Sequence, residues 1–333
     1  MLNPVYVMEQ GAVIRRSSRS LVVTKDDSRI LQIPVIKIDR LLVFGQVQLT
    51  TQAIELLLEE GIDVSFLSAS GRLRGQLMAV VSKNNILRLS QYERANNEQF
   101  LVMTARSIVQ GKILNGRALL RRYSRNHPES DYTKELEIIE SVLDGLLRYK
   151  SVARLMGCEG VASAAYFRAF GRMFRRDLQF AERSRRPPKD PVNALLSLGY
   201  TMLTNEILSL VVAHGLDPYL GFLHGIVYGR PSLALDLVEE FRHPVIDRMT
   251  LNLINNKVLE SGDFVKTDEG GFVLQPASLR RYFEFYENRM HEPEGRKKSG
   301  ITETIRDIAR GQVRKMATAI KNGTHYAPYR FEG

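Results

Sequence analysis

The chain has 333 residues, 44% of them hydrophobic, enough to bury a sizeable core and more consistent with two domains than with one. Lysine and arginine number 47 against 37 aspartate and glutamate, a formal charge of +10; this favours polyanionic partners, nucleic acid first, although a basic surface also serves solubility alone. The lone cysteine, Cys158, excludes an intrachain disulfide and a cysteine-rich zinc cluster and suits a reducing cytoplasm. The start, "MLNPVYVMEQGAVIRRSS", lacks a basic region followed by an apolar run, and no stretch reads as the roughly eighteen apolar residues of a spanning helix, so neither export nor a membrane partner is expected.

Short β-branched runs come first: "VYVM", "AVIRR", "SLVVTK", "ILQIPVIKID" and "RLLVFG", separated by Gly, Ser, Asp and Pro. "TTQAIELLLEEG" interrupts them with apolar residues at helical spacing that end at Gly61, before "DVSFLS" returns to strand. Residues 1–84 are therefore read as a small β-rich domain. From about residue 85 the period is helical, as in "QFLVMTARSIVQGKILNGRALLRRY" and "YTKELEIIESVLDGLLRYKSVARLM", so residues 85–333 form a large, mostly α-helical domain and the fold class is α+β.

"DPVNALLSLGYTMLTNEILSLVVAHG" has Asp190 as N-cap, Pro191 at the first helical position and Gly215 just past the end. It is apolar almost all round, as a central core helix is, and serves as scaffold. Farther on, "SGDFVKTDEGGFVLQP" predicts a hairpin around Glu269, Gly270 and Gly271, and "HEPEGRKKSG" a solvated loop. The last helix, "ITETIRDIARGQVRKMATAIK", puts Arg306, Arg310 and Arg314 at spacings of four, a stripe suited to a phosphate backbone or merely a solvated face.

The chemistry-bearing residues lie between these elements. Behind Pro231, Ser232 suits an N-cap, and "LALDLVEEF" turns Leu233, Ala234, Leu237, Val238 and Phe241 to one face, with its carboxylates on the other. Asp236 is three residues from Glu239 and four from Glu240, so the helical wheel brings it near either without choosing. His224 stands before this helix between Gly221 and Gly225, where the chain is free to turn sharply. One imidazole with carboxylates suits Mn²⁺ or Mg²⁺ better than zinc; the plain alternative is a hydrogen-bonded loop histidine beside a solvated acidic face. Glu159, between Gly157 and Gly160 amid small apolar residues, must find a partner or neutralise, by metal coordination or by a salt bridge to Arg154 or Arg168. Cys158 beside it reads as a small buried thiol.

Together "GCEGVASAAYF", "RSRRPPKDPVNALLSLGYTML", "GLDPYLGFLH" and "LALDLVEEFR", in that order, resemble the CRISPR-associated integrase family Cas one, the metal-dependent nuclease of spacer acquisition. "LRLSQY", "ARSIVQGKILNGRALLRRY", "IDRLLVFG" and "GIDVSFLSASGRLRG" extend the resemblance over nearly the whole chain. It implies Glu159, His224 and Glu239 as ligands of Mg²⁺ or Mn²⁺ and Asp236 as a second acidic position in or beside the site; many members carry Asp where Glu239 stands. It further implies a cytoplasmic endonuclease and integrase that joins the 3′-hydroxyl ends of short double-stranded DNA fragments into a CRISPR repeat by transesterification. The implied assembly is a homodimer through the N-terminal domain, two such dimers being bridged by a dimer of Cas two; an exposed sheet edge is a reasonable dimer surface. The proline-rich motif looks most like a type I system, subtype C. Arg242 and Arg248 near the acidic helix, and Arg185 and Arg186 before the proline pair, are expected DNA contacts alongside Arg306, Arg310 and Arg314, though an arginine beside carboxylates is more often a salt-bridge partner. The alternatives are a structure-specific repair nuclease acting on branched DNA and a noncatalytic DNA-binding scaffold, in which the acidic cluster is only a solvated face.

Overall fold

The computed structural model describes residues 3–69, 71, 73–78, 84–175, 177–294 and 303–332. The chain divides into two compact units, Met1–Ser82 and Lys83–Gly333.

The first unit holds β1 (Asn3–Val7), β2 (Val13–Ser17), β3 (Ser20–Lys25), β4 (Ser28–Pro34), β5 (Ile38–Phe44), β6 (Gln48–Leu49), α1 (Thr51–Glu59), β7 (Asp63–Leu67) and β8 (Leu73–Leu77). One sheet has the order β1-β5-β7-β8 and the other β4-β3-β2-β6. β5 and β7 are parallel, which a tight hairpin cannot join, and α1 lies in the crossover between them. Thr50 caps α1 by accepting from the Ala53 N–H, and Gly61, at φ +67°, turns the chain away after its end. Ile14, Leu21 and Val23 from one sheet meet Leu41, Val43 and Val64 from the other, with Leu56 and Leu57 of α1, in one buried cluster. "ILQIPVIKID", read as one strand run, is two strands broken by a 3₁₀ turn at Val35–Lys37, because Pro34 has no N–H with which to extend the ladder.

The second unit opens with α2 (Asn85–Ala95), α3 (Glu98–Asn126), α4 (Thr133–Gly145) and α5 (Val152–Gly171). α6 (Pro191–Ala213), α7 (Ser232–Val238) and α8 (Arg248–Asn255) follow, then strands β9 (Phe264–Lys266) and β10 (Phe272–Leu274), α9 (Pro276–His291), β11 (Pro293–Glu294), β12 (Glu303–Thr304) and α10 (Ile305–Asn322). β9 and β10 form the expected hairpin, with Gly270 at φ +77° in its turn. Residues 295–300 of the expected "HEPEGRKKSG" loop lie outside the described residues, while Pro293–Glu294 pairs antiparallel with Glu303–Thr304.

α6 begins where its caps direct: Asp190 accepts from the Asn193 N–H at 2.7 Å, Pro191 occupies the first turn, and Gly215 follows at φ +83°. Contrary to the sequence expectation, α6 is long and apolar enough to cross a membrane by length and composition. Its most apolar window is 72% buried inside the fold, as a central core helix is.

Candidate functional site

The site is built around the short helix α7 and the turn that follows it. Ser232 does not cap α7 but is its first residue, behind Pro231. Leu233, Ala234, Leu237, Val238 and Phe241 are buried as expected, but so are the carboxylates: Asp236 is 0%, Glu239 4% and Glu240 1% exposed. α7 has no solvated acidic face, because neighbouring elements surround it. Pro244 then prevents a regular continuation, since it offers no N–H to the Glu240 carbonyl four residues back. The chain widens into a π turn over Arg242–Asp247, and Asn115 of α3 donates its Nδ2 to the released carbonyl at 2.6 Å. Helix α3 is thereby tied to the end of α7.

Asp236 organises the loop that carries His224. Its Oδ2 accepts the backbone N–H groups of Phe222 at 2.6 Å and Leu223 at 2.9 Å, and its Oδ1 accepts the His224 N–H at 3.0 Å and Nδ1–H at 2.7 Å. An ionised carboxylate only accepts, so the imidazole proton resides on Nδ1 and the Nε2 lone pair is left to face Glu239 Oε1 at 3.8 Å. Gly221 makes this approach possible: a Cβ there would stand 2.7 Å from Ser232 and 2.9 Å from Asp236 Oδ2. Gly225, at φ +66°, reverses the chain after the histidine.

Glu159 on α5 meets this group from another side. Its partners are neither Arg154 nor Arg168: its Oε1 accepts from Ser163 Oγ at 2.7 Å and from Lys112 Nζ of α3. The same ammonium lies 2.6 Å from Glu239 Oε2, so one cation bridges two carboxylates, and Arg242 approaches Glu239 Oε1 at 3.1 Å. Burial alone pushes Glu239 up; Arg242 and Lys112 outweigh it and hold the carboxyl at about 2. Burial likewise raises Glu159, the Glu239 charge adds to that, and Lys112 with Ser163 brings it below the ordinary carboxylate range. Glu240 points elsewhere: both its oxygens accept hydrogen bonds, from Tyr326 Oη, Gln312 Nε2 and the Tyr329 N–H, yet burial pushes it up to about 7.

Among the described residues no three His, Cys, Asp or Glu side chains stand close enough to hold a metal ion as they are. The donor set nevertheless suits one. Two carboxylates and one open imidazole nitrogen are the oxygen-rich mixture that Mg²⁺ and Mn²⁺ accept, and Lys112 already places positive charge between the carboxylates. Glu239 Oε2 is buried against the Lys112 ammonium at 2.6 Å. Asp236 is fully engaged with His224 and its loop, an orienting carboxylate behind the imidazole.

A cleft of about 520 Å³ opens beside these groups, lined in part by Lys112, Glu159, Phe167, Arg183, Arg185 and Arg242. Arg242 and Arg183 lie over the Tyr200 ring at 4.5 and 5.4 Å, and the Tyr200 and Tyr166 hydroxyls both donate to buried Asp247, which also accepts from His243 Nδ1 at 2.7 Å. Among the expected DNA contacts, Arg185 and Arg242 border the cleft, whereas Arg186 is exposed beyond it. Arg248 lies over Phe331 at 5.8 Å and 3.8 Å from Glu294. The Arg306, Arg310 and Arg314 stripe does not form: Arg306 is 7% exposed, held by Glu206 at 2.6 Å and Glu287 at 3.0 Å, while Arg310 and Arg314 are exposed. Cys158 is half-buried rather than enclosed. Lys112 and Arg183 were not among the expected site residues; a lysine inside the apolar run "IVQGKILNG" is the same signal that singles out Glu159.

A family model described as CRISPR associated protein Cas1 matches residues 5–288. The chain is 36% identical over 291 residues to CRISPR-associated endonuclease Cas1 3 of Thermus thermophilus, covering 86% of this chain and 85% of that protein. Its structure is similar to that of a Cas1 protein from Thermotoga maritima, with a TM-score of 0.84 at 25% identity over 99% of this chain and 100% of that one. It is equally similar, with a TM-score of 0.84 at 25% identity, to a chain of a Cas6-RT-Cas1–Cas2 complex, spanning 99% of itself but 36% of that longer chain. The match runs through the strand-rich start, the buried acidic helix and the core helix beside it, and on this agreement of sequence and fold the chain belongs to the Cas1 family of CRISPR-associated endonucleases.

Proposed function

We propose that the protein joins the 3′-hydroxyl ends of short DNA fragments into a CRISPR repeat by transesterification, acting in the cytoplasm with Cas2. Glu159, His224 and Glu239 hold the Mg²⁺ or Mn²⁺ of the reaction. The observation that carries this reading is the meeting of the Glu159 and Glu239 carboxylates at Lys112, with the open Nε2 of His224 3.8 Å from Glu239 and Glu159 at the wall of a basic cleft. In the reaction the 3′-oxygen bonds to phosphorus while the bond from phosphorus to the departing strand's oxygen breaks. The attacking hydroxyl loses a proton, the departing oxygen gains one, and no covalent link to the protein is needed. When bound, the ion supplies Lewis-acid polarisation of the phosphate and stabilises charge on the attacking and leaving oxygens.

The chain's own residues do the rest. Asp236 fixes the tautomer and direction of His224. Arg242, seated between Glu239 and Tyr200, and Arg183 and Arg185 along the cleft give the phosphate backbone a positively charged track. Residues 1–84 serve as the dimerisation domain, residues 85–333 carry the catalysis, and two dimers are bridged by Cas2; the naming of Cas1 with Cas2 in the complex described above supports that partner. The solvated-face premise of a noncatalytic scaffold is at odds with the burial of Asp236, Glu239 and Glu240.

The test incubates the protein and Cas2 with short duplex DNA, a supercoiled repeat plasmid and Mn²⁺, comparing wild type with His224→Ala. Strand joining by the wild type and its loss in the variant are expected. Equal joining by both overturns the site, and cleavage of branched duplexes without any joining favours the repair nuclease.

A further inference from the structure

We propose that Lys112 is an exchangeable internal cation: its ammonium holds Glu159 and Glu239 together in the metal-free protein and has to leave that position for a divalent ion to enter. The inference rests on the metal reading above and concerns what that ion competes with.

Three observations carry it. The Lys112 ammonium is the group in contact with both carboxylates, pairing with Glu159 Oε1 and lying 2.6 Å from Glu239 Oε2. That is the place between the two acids where a shared cation would sit, and with the lysine there no group of three His, Cys, Asp or Glu side chains is assembled among the described residues. Glu239 also keeps a cation when the ammonium leaves, since Arg242 lies 3.1 Å from its Oε1. Finally, the lysine has somewhere to go. It rises from the buried side of α3, 8% exposed as a residue, and lines the basic cleft of about 520 Å³ with Arg183, Arg185 and Arg242. A four-carbon stem with rotatable donors lets the head group swing from the carboxylates into that cleft, where a phosphate oxygen is its natural partner.

Without such a counter-charge, two ionised carboxylates facing each other in a buried site repel, and the metal-free fold is weakened. With it, the apo site is stable but its metal affinity is reduced, because each incoming ion must displace a unit positive charge held at contact distance. A phosphate in the cleft that captures the released ammonium lowers that cost, so metal and DNA load the site together.

The test measures Mn²⁺ binding without DNA by the loss of the free-ion electron paramagnetic resonance signal, in wild type, Lys112→Met and Lys112→Arg. Removal of the charge is expected to tighten Mn²⁺ binding on the order of ten-fold or more, while the arginine variant, which keeps the charge, stays near wild type. Metal-free Lys112→Met is expected to melt below wild type and to gain more from added Mn²⁺. Should the methionine variant fail to fold, Lys112→Gln, whose amide can still donate to the carboxylates, takes its place. Mn²⁺ binding that is unchanged or weaker in the neutral variant overturns the proposal while leaving the metal site intact. Absence of Mn²⁺ binding by the wild type and the neutral variant alike overturns the metal reading, and this inference with it.

Discussion

Glu239 and Glu240 are adjacent in sequence and equally hidden from solvent, yet burial acts on them with opposite outcomes. Glu239 faces Arg242 and Lys112, and these cations keep its carboxyl at about 2. Glu240 faces Tyr326, Gln312 and the Tyr329 N–H, neutral donors that do not overcome desolvation, and its carboxyl rises to about 7. A helical turn thus presents one acid to cations and the other to neutral donors. Depth in the protein does not decide the charge of a carboxylate; the sign of its neighbours does.

The sharpest way to break this contrast is Glu239→Gln, which keeps the volume and removes the charge. Strand joining is expected to fall by roughly a hundredfold or more, with Mn²⁺ binding lost in parallel, because an amide oxygen is a poor replacement for a charged ligand. Activity and metal affinity that survive would place the reacting centre elsewhere. Asp236→Asn is a gentler intervention. The amide oxygen can receive only half of the four N–H groups that Asp236 accepts and the imidazole loses its anionic partner, so Mn²⁺ affinity is expected to weaken by about ten- to a hundredfold and the melting temperature to fall.

Glu240→Gln separates the two acids most cleanly, since strand joining is expected to stay within about twofold of wild type while the pH dependence of stability changes. A carboxyl whose folded value exceeds its unfolded value favours the fold while protonated. Its contribution is intact below the unfolded value of 4.5 and is lost as pH rises toward about 7. Thermal melts between pH 5 and 8 are therefore expected to show wild type losing stability relative to the glutamine variant, by at most about 3 kcal/mol. Parallel curves for the two proteins would place Glu240 among groups that stay ionised throughout.

Much of this arrangement was legible in the sequence. The strand-rich start, the change to helical period and the capped, all-apolar α6 follow from local chemistry, and α6 begins at its N-cap aspartate as expected. Glu159 stood out because a charge among glycines and alanines has no cheap solution. The strand break at Pro34 was overlooked because alternating apolar residues continue on both sides of the 3₁₀ turn. The wheel misplaced the carboxylates of α7 for a different reason. It divides a helix into wet and dry sides, and a helix enclosed on every side has no wet one. Lys112 escaped notice because a long cationic side chain is ordinarily assumed to reach solvent. Arg306 shows the converse: a spacing of four marks a common face, but only the position of Glu206 on α6 reveals that this face begins inside the protein.

The tail after α10 gains significance from the amide of Asn115. That one side chain donates to the Glu240 carbonyl at 2.6 Å and to the Tyr329 carbonyl at 3.0 Å, and its oxygen accepts the Phe331 N–H at 2.8 Å. The stretch from Tyr326 to Phe331 therefore works as a clasp, fastening α3, which carries Lys112, to the turn that carries Arg242. Proteolytic trimming past Asn322, or a fusion that pulls this stretch out of its seat, would slacken the spacing between those two cations while leaving Glu159, His224 and Glu239 in the chain.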